Sequence, residues 1–123
     1  MSEITIKKTF RIPIYFGKLI VVATDNLQAA ADGMALGFDT QGFGALASQR
    51  TTKNGLREYA ILIGPNCTLK DVVHECVHVA NFIMKFIGIS PDLDNDEPQC
   101  YLVGWIFGCA ASVFSKYEIN KQK

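Results

Sequence analysis

From Ile4 to Ala23 the chain reads ITIKKTFRIPIYFGKLIVVA, a run of β-branched and aromatic positions broken at Pro13 and Gly17. That composition predicts two strands, or one interrupted strand. The next segment, DNLQAAADGMAL, opens with Asp25 as an N-cap candidate and carries Ala and Leu at helical spacing, so a short helix to about Leu36 is expected. GFGALASQRTTKNGLREYAILIG then places two strand-like runs around Asn54-Gly55, a dipeptide suited to the positive-φ turns that join antiparallel strands. A hairpin ending near Gly64-Pro65 follows from it. Thr68 and Asp71 have the spacing of a capping box with Asp in place of Glu, and they open a helix expected from about Leu69 to Ile87. Val72, Val73, Cys76, Val77, Val79, Ala80, Phe82, Ile83, Met84, Phe86 and Ile87 spread over nearly its whole circumference, the pattern of a buried helix. Gly88 is placed to cap its end. The acidic turn ISPDLDNDEP leads into a last apolar helix with Pro98 in the first turn, and the end of the chain, 118–123, is expected to be a flexible tail.

Composition narrows this to one domain, 1–117, because 123 residues can bury a core without disulfides or a structural metal. Twelve basic residues balance twelve acidic ones, which gives no electrostatic footprint for nucleic acid or an anionic membrane. The longest apolar run, Tyr101 to Phe114, falls short of the roughly 20 residues needed to span a bilayer. Cys67, Cys76, Cys100 and Cys109 lack CxxC spacing and sit in apolar stretches, as reduced thiols do. With no apolar signal-like segment at the start, a cytoplasmic location is expected.

The chemistry is concentrated in DVVHECVHVANFIMKFIG, which holds both histidines of the chain. His74, Glu75 and His78 form HExxH, and on a helix the two imidazoles project from one face about a turn apart, close enough to share a metal ion. Zinc hydrolysis uses this arrangement: neutral imidazoles hold the ion, an open position takes water, and the glutamate accepts a proton. The competing expectation is a buried polar network, but burying two imidazoles and a carboxylate costs several kcal/mol unless each finds a partner.

A catalytic zinc wants a third protein ligand, and without a third histidine it must be a carboxylate or a cysteine. Asp92, Asp94, Asp96 and Glu97 are candidates, with Cys100 in reserve. Glu97 is preferred, since the first turn of a helix positions a ligand better than a loop does. Asp94 and Asp96 have the alternative role of helix N-terminal capping.

HExxH followed by a downstream helix that opens with glutamate resembles the gluzincin-type zincin metallopeptidases over His74 to about Phe107. Among these it is similar to ImmA/IrrE-like peptidases and to small phage-encoded metallopeptidase-like proteins. In them a glutamate followed three residues later by a small residue opens the second helix, as EPQC does here. The resemblance implies Zn2+ held by His74, His78 and Glu97, with Glu75 as general base. Tyr101 stands where many of these families carry Asp or Asn, and as it shares the side of Glu97 it is a candidate to orient a ligand or stabilise an oxyanion. Packing is its alternative role.

Gly104 and Gly108 in the final helix are expected to allow close approach to the HExxH helix. If the resemblance holds, the strand REYAILIG borders the cleft and pairs with an extended peptide. The expected fold is a minimal zincin-like α+β domain: a small antiparallel or mixed sheet packed on a central HExxH helix and a second apolar helix. The expected function is zinc-dependent peptide hydrolysis in the cytoplasm, or host cytoplasm if phage-encoded. The alternative is a non-catalytic zinc-binding interaction or regulatory module, such as a phage accessory protein. Expected partners are a peptide or protein substrate and a second copy or host protein, with neither nucleic acid nor membrane.

Overall fold

A computed structural model describes residues 3–123. Its order is β1 (Thr5–Arg11), β2 (Lys18–Thr24), α1 (Leu27–Gly33), β3 (Ala45–Thr51), β4 (Arg57–Ile63), α2 (Leu69–Ile87) and α3 (Glu97–Lys121). The four strands form one sheet in the order β1-β2-β4-β3, with β2 parallel to β4 and both outer pairs antiparallel. This is an α+β domain with a mixed sheet.

The central strands are apolar on both faces, as strands covered from both sides must be. Leu19, Val21, Ala23, Tyr59, Ile61 and Ile63 face the layer formed by α2 and α3, where they meet Val72, Cys76, Val79, Ile83, Ile106 and Val113 in the main core. Ile20, Val22, Ala60 and Leu62 point the other way, onto Leu27 and Ala31 of α1. Helix α2 lies over β3 and β4, and α3 over β1 and β2.

Several local expectations are met. The run from Ile4 to Ala23 forms two strands, the turn at Asn54-Gly55 joins β3 to β4 with Gly55 at φ 81°, and α2 runs from a Thr68–Asp71 capping box to Gly88 at φ 81°. Others are revised. The N-cap of α1 is Asn26, which accepts from the Ala29 N–H at 3.0 Å, and the helix stops at Gly33. Asp25 is instead engaged by the Tyr117 hydroxyl at 2.5 Å and the Ile4 N–H at 2.8 Å. Helix α3 continues to Lys121, whose Nζ donates to the Pro65 carbonyl at 3.0 Å, so most of 118–123 is helical and tied down. Gly104 and Gly108 are exposed, and a Cβ at either would meet nothing within 4 Å, so they serve no close helix contact. Three cysteines are buried, Cys100 is exposed, and all four are free.

Helix α2 is not apolar all round in its surroundings. Val72, Cys76, Val79, Ala80, Ile83 and Met84 are buried, whereas Val73, Val77, Phe86 and both histidines are exposed. The physical reason is the layer count: α2 has the sheet beneath it and α3 beside it, and no element covers its outer side. The desolvation cost that buried imidazoles would carry does not arise. Among the described residues no helix is long and apolar enough to cross a membrane.

Candidate metal centre

The capping box fixes where α2 begins. Thr68 Oγ1 accepts from the Asp71 N–H, and Asp71 Oδ2 accepts from the Thr68 N–H at 3.0 Å, so each satisfies an amide that the first turn leaves without a helical partner. Gly44, just before β3, lets the sheet approach this turn: a Cβ there would stand 2.9 Å from Asp71 Oδ2 and 3.3 Å from the Cys67 Cα. From that start, the next turns present His74 and His78 on one face.

Their Nε2 atoms lie 3.1 Å apart, with ring centroids at 4.8 Å and planes at 74°. His78 in turn stacks on Phe82, at 6.3 Å between centroids and 20° between planes. Two nitrogens at about 2.0–2.1 Å from a tetrahedral zinc are separated by about 3.3–3.4 Å, so the pair needs only a few tenths of an ångström of adjustment to share an ion. The same separation also suits one imidazole donating to the other. Glu75, between them in sequence, is half-buried. Burial raises its pKa above the usual glutamate value, while the imidazoles of His74 and His78 draw it back down and Asp71 adds to the rise.

All three side chains open into a cavity of about 620 Å³ whose other wall is β3, from Ala45 to Gln49. Leu36, Phe38, Phe43 and Phe82 complete it with apolar surface, and Phe38 and Phe43 meet edge to face at 5.2 Å. The loop carrying both phenylalanines is held by one side chain. Gln28 donates from Nε2 to the Phe38 carbonyl at 2.8 Å, and its Oε1 accepts from the Thr40 N–H at 2.8 Å and the Thr40 hydroxyl at 3.0 Å.

The strand bordering this cavity is β3, not REYAILIG. The latter is β4, interior between β2 and β3, while β3 is the edge whose outer side pairs with no other strand. Which of the two is the edge is set by strand order, although the composition differs: β4 is apolar without a break from Tyr59 to Ile63, whereas β3 turns polar after Ala47. Periodicity does not point to the cavity-lining phenylalanines; their signal is the glycine-flanked GFDTQGFG, where Gly37 and Gly42 take positive φ.

Glu97 and Tyr101 are brought together, but not with the histidines. Both line a separate cavity with Pro13, Ile14, Tyr15 and Trp105, where the start of α3 meets the β1–β2 connection, and Tyr101 is 75% exposed. Asp96 is the N-cap residue of α3 without a side-chain capping bond, and Asp92 accepts from the Asp94 N–H at 2.9 Å within the loop. Among the described residues no group of three His, Cys, Asp or Glu side chains is assembled to hold a metal ion. The donors brought together are therefore the two imidazoles, and among the described residues no third ligand is assembled with them. The chain matches no known protein family, no curated protein and no solved structure.

Proposed function

We propose that the cleft between α2 and β3 is the site of a zinc-dependent peptide hydrolase of the HExxH type, in a domain of zincin-like character. The observation that carries this reading is the Nε2–Nε2 separation of 3.1 Å between His74 and His78, at the mouth of a cavity walled by an edge strand. In it the two imidazoles hold the ion, and zinc when bound supplies a Lewis acid to polarise an oxygen. The backbone of β3 offers unpaired N–H and C=O groups along which an extended peptide can lie. Glu75, half-buried beside the two imidazoles, would accept a proton from the attacking water and pass it to the leaving amine. Glu97 and Tyr101 line their own cavity and take no part in these steps.

A second reading has the pair bind a metal without catalysis in an interaction or regulatory module, and a shell closed by four protein ligands would favour it. Glu75→Gln separates the two. Under the first reading the variant keeps its zinc and loses peptide cleavage by about 10²-fold or more. Cleavage at the wild-type rate would remove Glu75 from the mechanism.

A further inference from the structure

The connection between β1 and β2 turns tightly: the Tyr15 N–H donates to the Pro13 carbonyl at 2.6 Å across Ile14, and the Ile12 N–H donates to the Gly17 carbonyl at 3.1 Å. Ile14 sits at φ 67°, a region that β-branched residues avoid, and yet its side chain is 88% exposed. Two residues later Phe16 is 87% exposed. The backbone bonds hold the turn, and the two side chains project from it as a bare apolar knob.

Ile14 also forms part of the wall of an apolar groove of about 590 Å³, which Pro13, Tyr15, Pro98, Tyr101, Leu102 and Trp105 complete. Charge is divided between the two. Arg11 and Lys18 face each other across the base of the hairpin, exposed. Glu97 lines the groove, and Asp92, Asp94 and Asp96 precede it on the exposed loop. Among the described residues none of these six takes part in an ion pair.

We propose that this face is the interface of a two-fold dimer, in which the Ile14–Phe16 knob of each copy enters the groove of the other. An isologous contact needs a self-complementary patch, and knob beside groove with basic base beside acidic rim is one. The same pairing brings Arg11 and Lys18 of one copy against the acidic run of the other, which favours the right orientation and discourages others. An anionic membrane would attract the basic base and the apolar knob, but Glu97 in the groove and the acidic loop that precedes it oppose this.

Sedimentation velocity of the full chain, from low to high micromolar concentration, tests this. The expected result is a species of twice the mass of one chain that dissociates as salt is raised. Phe16→Ser should weaken association at least tenfold. Ile14→Gly should do the same without lowering the melting temperature measured where the protein is dissociated, because it removes the knob and the φ penalty together. Wild-type protein at the mass of one chain throughout, or a dimer indifferent to both substitutions, would overturn the proposal. So would binding to vesicles of mixed phosphatidylcholine and phosphatidylserine by protein that stays single in solution.

Discussion

Asp25 ties together three parts of the chain that are distant in sequence: the end of β2, the residue before β1 and the last turns of α3. The Tyr117 hydroxyl, the largest influence, and the Ile4 N–H both stabilise its carboxylate and hold its pKa below the ordinary value of 3.8, against a smaller opposing effect of burial. Asp71 is held below the same value by its bonds to Thr68. A carboxyl whose pKa is lowered on folding contributes stability above its unfolded pKa and loses it as pH falls through the folded one. Thermal unfolding should therefore show stability dropping below about pH 4, with a shallower acid slope in Asp25→Asn. Equal slopes in the two proteins would mean that the Tyr117 contact is not made in solution. The capping box of Asp71 was legible in sequence, but the role of Asp25 was not, since it had the spacing of a helix cap; which of two adjacent residues caps is decided by the tertiary partner 92 positions away.

Helix α2 shows what local sequence can and cannot specify. Its two ends follow from side chains within a few residues of them, Thr68 with Asp71 at the start and Gly88 at φ 81° at the finish, so its limits were readable. Thr68→Ala should lower stability by about 1 kcal/mol, the usual worth of an N-cap hydroxyl, seen in denaturant titration as a shifted midpoint with unchanged slope. A variant as stable as wild type would show that the cap is redundant. Which face of α2 is covered was not readable, because Val73, Val77 and Phe86 have the same side-chain character as the residues packed on the sheet. Likewise the edge position of β3 depends on strand order, and β4 enters between β2 and β3 through a parallel pairing that the Asn54-Gly55 turn does not encode.

At the scale of the whole molecule, one four-stranded sheet supports two unlike concavities. The first lies at the β3 edge, where the histidine pair, Glu75 and two phenylalanines face a strand with a free side. The second lies where α3 begins against the β1–β2 connection, and it receives Glu97 and Tyr101. HExxH could be read from spacing alone, since four residues on a helix place two side chains together whatever surrounds them. A third ligand from another helix depends on how α3 rotates and where its first turn docks, which spacing does not determine. The central claim is that His74 and His78 hold a metal ion, and elemental analysis of protein purified without added metal or chelator tests it most directly. The account predicts about one zinc per chain, lost in a His74→Ala/His78→Ala variant; protein that carries no zinc even after zinc is supplied would contradict it.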